Sequence, residues 1–371
     1  MNYILRTFVC LTLVIVLSGC AEMNILEKIG IITTVGYDFD EDDQLSTTMI
    51  LLQSDPDAPK NSTIVNGKAI TSKGSRIKAN LKTPKKLASG QLRVALFGEE
   101  LARNGLKTII DTLVRDPSIS DLTYLAIVQG NAEELLRNDN EQYIDMGRYV
   151  YEELDQNIKN ELIPSTTLQE VLHDYYSLGV DPIIPTIKLD HPQIMITGMA
   201  IMNNDKMVGT ISSDKSFYIK LVKQRYETGS LEVIMDSNAS EFADDTKELA
   251  IVLDTIKTNN NIELKNKDKL EFNMNLKIDA RLLEINKNID LKNPKNIKTL
   301  EEDVKKEMKK EILDLIAYCK SKDSDAFGFG EVYRSSIKDS KLTREKWHEI
   351  YKDIKVNVNI DFNILRTGVV E

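Results

Sequence analysis

Apolar and polar positions alternate along this chain with periods that change from segment to segment. The first apolar run, Phe8–Leu17, is broken only by Thr12 and stops at Leu17-Ser18-Gly19-Cys20. It is shorter than the ~20 residues a bilayer-spanning helix needs and fits the ~7–15-residue core of an export signal. "IGIITTVGYDFDEDDQLSTTMILLQ" then predicts two strands about an acidic turn, Asp38–Gln44. Residues 54–67, rich in Ser, Asp, Pro and Asn, read as a surface loop. "GKAITSKG" reads as a strand and "RIKANLKTPKKLAS" as a helix interrupted near Pro84. "QLRVALFGEELARNG" follows as a strand running into a turn. Ile109, Ile110, Leu113 and Val114 share one face of a helix. "LTYLAIVQGN" is a strand and "AEELLRN" a short helix, so this half alternates strands and helices.

A long helical pattern over 141–162 carries Tyr143, Met146, Val150 and Leu154 on one side, and 165–179 predicts a second helix with a glycine stop. "VDPIIPTIKLDHPQI" holds Pro182, Pro185 and Pro192 and reads as an extended connector, which places a domain boundary near residue 195. Beyond it, "ITGMAIMNNDKMVGTIS" predicts a hairpin about Asn203-Asn204-Asp205. Two strict period-two stretches follow. One buries Leu270, Phe272, Met274, Leu276, Ile278, Ala280 and Leu282, the other Val356, Val358, Ile360, Phe362 and Ile364. Such alternation predicts antiparallel strands with one covered and one wetted face. Between them Thr299 and Glu302 form a capping-box pattern at the head of a helix whose apolar face is Val304, Met308, Ile312, Leu315, Ile316 and Cys319. The expected fold is α/β (α+β): a multi-domain body of mixed and antiparallel sheets packed by helices, behind a cleaved lipoprotein signal. The expected divisions are a signal peptide 1–19, a lipidated tether 20–29, an N-terminal α/β domain 30–194 and a second part from 195 onward.

Chemistry sharpens the reading of the N-terminus. Small residues immediately before a cysteine are the pattern of a bacterial lipoprotein signal. The Cys20 thiol is the nucleophile that takes a diacylglyceryl group, and cleavage before it frees an amine for N-acylation. Cys10 leaves with the signal, so Cys319 is the one thiol left and no internal disulfide is expected. The chain has 371 residues, 42% hydrophobic, with a formal net charge of −10. That is enough to build more than one core. The acidic balance argues against nucleic acid as a partner. It also argues that anchoring comes from acyl chains, with no polybasic patch assisting.

Catalytic patterns are missing. The three histidines, His173, His191 and His348, fall in no metal-ligand spacing, and no GxSxG occurs. Asp38, Asp40 and Asp42 suggest a calcium loop, but Asp43 stands where such a loop needs glycine and Met49 where it needs a bidentate glutamate. "FGFGEVYR" lacks the third glycine and the lysine of a phosphate loop and reads as a tight turn. No enzymatic activity, cofactor or metal is expected.

The signal followed by "LEKIGIITTVGYDFDEDD", with Gly30, Ile31, Gly36 and Asp38, resembles the start of the Ger(x)C spore germination lipoproteins. The close of the chain, "DAFGFGEVYR" and "REKWHEIYKDIKVNVNIDFNILRTG", is similar to that family's close, at Phe327, Gly328, Gly330, Glu331, Arg334, Trp347, Arg366 and Gly368. The chain departs from the family in having Ala21-Glu22 after Cys20, where many members have Trp-Asp, and in having a single tryptophan. The resemblance implies a non-catalytic lipoprotein C subunit of a nutrient germinant receptor, working with two integral membrane subunits, A and B. It implies an elongated body of three α/β domains, with the second part divided into a middle domain 195–256 and a C-terminal α/β domain 257–371, and anchorage on the outer face of the cell membrane or spore inner membrane. Phe327, Gly328, Gly330, Glu331 and Trp347 would then be a structural or partner-surface motif. The alternative is a solute-binding lipoprotein of an ABC importer. Its parallel lobes would need near-continuous apolar strands, which the alternation at 270–282 and 356–364 disfavours.

Overall fold

The computed structural model describes residues 28–40, 44–52, 62–138, 145–191, 193–223, 229–235, 242, 248–338 and 340–367. Among these residues the chain builds a nine-stranded and a four-stranded sheet. In the first, β1 (Ile29–Phe39) carries β2 (Leu45–Leu52) and β3 (Ser62–Ala69) antiparallel on one side. The short β4 (Lys86–Ala88) pairs with the first residues of β1 on its other side. There, too, β5 (Val94–Gly98), β6 (Tyr124–Val128) and β7 (Ile183–Asp190) continue in parallel. β8 (Gln193–Asn203) and β9 (Lys206–Ser212) close the sheet as an antiparallel meander. The parallel centre is made of short apolar runs, "VALFG" and "YLAIV", because helices cover both of its faces.

One face packs against α1 (Ser72–Asn80), α2 (Glu99–Asn104), α3 (Lys107–Val114) and α6 (Leu168–Tyr176), through Ala79, Leu101, Ile110, Val171 and Phe97. The other packs against α4 (Ala132–Leu136), α5 (Met146–Lys159) and α7 (Ser213–Lys223). This second core runs on without a break into the second sheet. That sheet has the order β10 (Leu231–Met235), β11 (Leu249–Asn266), β12 (Glu271–Ile285) and β13 (Lys355–Thr367). Its inner face meets α8 (Pro294–Ser321) through Leu300, Val304, Met308, Ile312 and Cys319. Its outer face is wet and polar, with Asn357 donating to Asn273 at 3.3 Å and Asn359 to Asn275 at 2.9 Å. α9 (Phe329–Ser336) and α10 (Arg344–Tyr351) lie between α8 and β13 in the chain.

Several expectations change. The loop expected over 54–67 ends in strand, since β3 begins at Ser62. The strand expected over 67–74 gives way to α1, which Thr71 caps by accepting from the Gly74 N–H at 3.1 Å. The proline-rich stretch is no connector: Ile183–Asp190 is a strand of the sheet. Pro185 is tolerated because the ladder to β6 begins one residue later, at Thr186. Residue 195 therefore lies inside the β7–β8 hairpin, and the first sheet continues to Ser212. Residue 257 lies within β11. β12 and β13 are parallel, not antiparallel. The alternation reports the one-sided covering, while the direction is set by the long helical crossover between them. α8 starts before Thr299: Asn293 caps it, with Pro294 at its first position, where a missing N–H costs nothing.

Candidate functional site

The family-like residues near the start prove to be a lock between β1 and α4. Asp38 is buried at the end of β1 and turns inward. Its Oδ1 accepts from the Ala132 N–H at 2.7 Å and its Oδ2 from the Glu133 N–H at 2.8 Å. These are otherwise orphaned donors at a helix start. Burial raises the Asp38 pKa, opposed by those two N–H groups. Gly36 makes the approach possible: a Cβ there would sit 2.9 Å from both Ala132 Cβ and Leu136 Cδ1. Asp38 is thus a helix cap, and Asp40 pairs with Lys68 at 2.7 Å. Asp42 and Asp43 lie outside the described residues.

The second and larger constellation joins the two halves of the chain. Asp325, fully buried, sits at the head of α9. Its Oδ1 accepts from the Gly328 N–H at 2.8 Å and the Phe329 N–H at 3.1 Å. Its Oδ2 accepts from the Gly330 N–H at 2.8 Å and the Trp347 indole N–H at 3.0 Å. Gly328 adopts φ 80°, ψ 31°, the left-handed shape that brings these donors onto one carboxylate. Burial, reinforced by Asp181, pushes Asp325 up to about 7 against the pull of the backbone donors.

Asp181, also buried, comes from the segment before β7. It accepts from the Asp325 N–H at 2.8 Å and the Asn204 N–H at 2.8 Å. Arg344 of α10 lies 3.3 Å from it and His348 3.6 Å. Burial raises the Asp181 pKa, with His348, the two N–H donors and Arg344 opposing. Arg344 also donates to the carbonyls of Tyr175 and Ser177 at the end of α6.

Two glycines complete the joint. A Cβ on Gly330 would fall 2.4 Å from Gly179 Cα and 2.6 Å from the Trp347 ring. A Cβ on Gly179 would fall 2.1 Å from the Gly330 carbonyl carbon. The two backbones touch, and the Glu331 N–H donates to the Gly179 carbonyl at 3.1 Å. Glu331 accepts from the Ser177 hydroxyl and the Arg334 guanidinium. These outweigh its partial burial and hold its pKa below the ordinary value.

The structure therefore brings Phe327, Gly328, Gly330, Glu331 and Trp347 together, most of them in the interior. Sequence reasoning missed their partners Asp325, Asp181, Gly179, Arg344 and His348. An Asp three residues before an αL glycine is the only local signal among them. Both buried carboxylates have their oxygens engaged by donors, so the joint acts as a positioning device. His173 is exposed beside Asp174 on α6. Near it a cleft of about 370 Å³ opens between α6 and α7, with Thr166, Gln169, Lys220 and the Lys223–Asp174 pair (2.7 Å) on its walls. Burial lowers the Lys220 pKa. Among the described residues no group of His, Cys, Asp and Glu has metal-binding geometry, and no helix is long and apolar enough to cross a membrane. Cys20 and Gly368 lie outside the described residues.

Residues 22–189 match the family model described as spore germination protein N-terminal domain, and residues 197–368 match spore germination B3/GerAC like, C-terminal. The joint therefore ties one matched region to the other. Spore germination protein GerQC of Bacillus cereus is 26% identical over 367 residues, 99% of this chain and 99% of that protein. Spore germination protein KC of Bacillus subtilis (strain 168) is 21% identical over 389 residues, 96% of this chain and 94% of that protein. The crystal structure of the GerBC protein shares the fold, with a TM-score of 0.54 at 18% identity, covering 92% of this chain and 100% of that one. With residues 22–189 and 197–368 matched in order by the two domain models, the chain belongs to the Ger(x)C family of spore germination proteins.

Proposed function

We propose that this chain is the non-catalytic, lipid-anchored C subunit of a nutrient germinant receptor, assembled with integral membrane A and B subunits at the outer face of the spore inner membrane. The observation that carries this reading is the pair of family matches, together with relatives of nearly the same length that are named spore germination proteins. The signal pattern ending at Cys20 supplies the anchor, through S-diacylglyceryl and N-acyl groups. Two chains hold a body to a bilayer where one does not. The joint supports a relay role: a contact made on one half is passed to the other through a packed, hydrogen-bonded junction. The test is affinity capture of a tagged chain from detergent-solubilised spore membranes. Receptor A and B subunits co-purify on this reading, and a Cys20→Ala chain is lost from the membrane fraction while its body stays folded. Recovery of the wild-type chain alone, or full membrane retention of Cys20→Ala, contradicts it.

A further inference from the structure

The charge of this protein is unevenly spread. Between Ser62 and Gly98 there is no Asp or Glu, while Lys68, Lys73, Arg76, Lys78, Lys82, Lys85, Lys86 and Arg93 all fall there, in a chain of net charge −10. α1 and the loop into β4 lie at the centre of this stretch.

α1 is amphipathic in an unusual sense. It buries its small residues, Ser75 and Ala79, against β3 and β2, where Ser75 Oγ meets Thr47 Oγ1 at 2.6 Å. Ile77 and Leu81 lie on the opposite side, 63% and 80% exposed, and Ile70, just before the cap, is 86% exposed. Exposed apolar residues ringed by lysines mark a surface that meets something. Lys73 and Arg76 are partly offset by Asp116, and Lys68 by Asp40. Lys78 and Lys82 flank the apolar stripe and are exposed, Lys82 also reaching Asn66 Oδ1 at 3.0 Å.

The place of this face in the fold says what it meets. The described chain begins at Lys28, and its first strand residue, Ile29, pairs with Lys86. The described chain therefore begins beside this face. Seven residues separate Cys20 from Lys28, and even fully extended the chain between them spans at most about 3.6 Å per residue, under ~30 Å in all.

We propose that the Ile70–Lys86 surface, the outer side of α1 and the loop after it, lies against the anionic lipid headgroups of the membrane that carries the anchor. Ile70, Ile77 and Leu81 enter the headgroup boundary, and the lysines around them meet phosphate. The net negative charge of the body does not prevent this. At physiological salt, charges more than about 8 Å away are largely screened, so the local face decides the contact. On this proposal the expectation from composition that no basic patch assists binding fails, since composition averages over faces that the fold separates. The inference rests on the Cys20 anchor for its geometry but is testable apart from it.

The experiment uses the full lipidated chain in phosphatidylcholine vesicles with or without about 30% phosphatidylglycerol. A polarity-sensitive fluorophore is placed at Leu81→Cys, and at Leu283→Cys as a control on exposed β12 surface. The expected result is a blue shift, and quenching by nitroxide-labelled lipid, at 81 and not at 283, in anionic vesicles and reversed by high salt. A probe at 81 that stays as wet as the one at 283, while the protein floats with the vesicles, overturns the proposal. A chain that does not float at all refutes the anchor instead. The surface is then judged on a Cys20→Ala chain by sedimentation with the two kinds of vesicle: preference for anionic vesicles supports it, and no preference overturns it. In that chain Lys78→Ala with Lys82→Ala weakens binding to anionic vesicles about 25-fold, each lysine being worth about fivefold, with unchanged thermal stability.

Discussion

Gly330→Ala is the sharpest perturbation of the joint. Gly330 lies in α9 with a negative φ, so the backbone itself accepts alanine, and helix propensity favours the change by about 0.5–1 kcal/mol. The surroundings oppose it. The new Cβ would stand 2.4 Å from Gly179 Cα and 2.6 Å from the Trp347 ring, where ordinary carbon contacts are about 3.5–4.0 Å. Neither neighbour is the end of a flexible side chain, so the two backbones must part by about 1 Å. That movement strains the Asp325 bonds to the Gly330 N–H (2.8 Å) and the Trp347 indole (3.0 Å), and the Glu331–Gly179 bond (3.1 Å). Overpacking costs about 1–3 kcal/mol, and each buried donor left unpaired about 1–3 more. Steric cost wins over propensity, and the net loss is about 3 kcal/mol. Trp347 is the only tryptophan and is buried at the joint, so its emission in a urea titration reads the event directly. Gly179→Ala acts on the same contact, and the double substitution costs less than the sum. Gly90→Ala, whose Cβ meets nothing closer than 3.9 Å, serves as the neutral control. A Gly330→Ala loss below about 1 kcal/mol, with native Trp347 emission, would refute the argument.

Three other outcomes follow from the same geometry. Asp38→Ala strips two charge-assisted bonds from the head of α4 and lowers stability by about 2 kcal/mol in urea unfolding; a loss within error would show that the cap is not used. Asp325 titrates near 7 in the fold and near 4 when unfolded, so between these values the folded state keeps a proton that the unfolded chain has released. Its contribution therefore grows as pH falls, by up to about 1.4 kcal/mol per unit, and is lost as pH rises through 7. Asp325→Asn should flatten the dependence of the urea midpoint on pH in that window, and an unchanged slope would contradict the assignment. Cys319 is buried in α8, and burial, with the charges of Asp325 and Asp181, pushes its thiol up to about 12. Alkylation mapped to its peptide by mass spectrometry should wait for unfolding, and rapid native labelling would disprove the burial.

The sequence carried the local part of this fold well and the long-range part poorly. The β1–β2 hairpin, α3, α4 and α6 follow from apolar spacing, as does the buried face of α8 that includes Cys319. The capping pattern at Thr299 and Glu302 misplaced the start of α8, because Asn293-Pro294 offers an earlier cap that the same propensities favour. Period-two alternation at 270–282 and 356–364 told which face was covered. It could not tell strand direction, which depends on the crossover. The prolines near 185 suggested a connector, yet proline fits a strand wherever its neighbour's ladder has not begun. The glycines and tryptophan of the closing motif were visible as a pattern, but their reason was not. Asp181 and Asp325 are 144 residues apart, and nothing in either neighbourhood indicates that they meet.

The most direct measurement of the functional claim is germination of spores from which this chain has been deleted, scored on separate nutrients and on a trigger that bypasses nutrient receptors. The account predicts loss of response to one class of nutrient, restored by the wild-type chain, with the bypass trigger intact. Normal germination on every nutrient, in a strain without other receptors able to answer them, would contradict it.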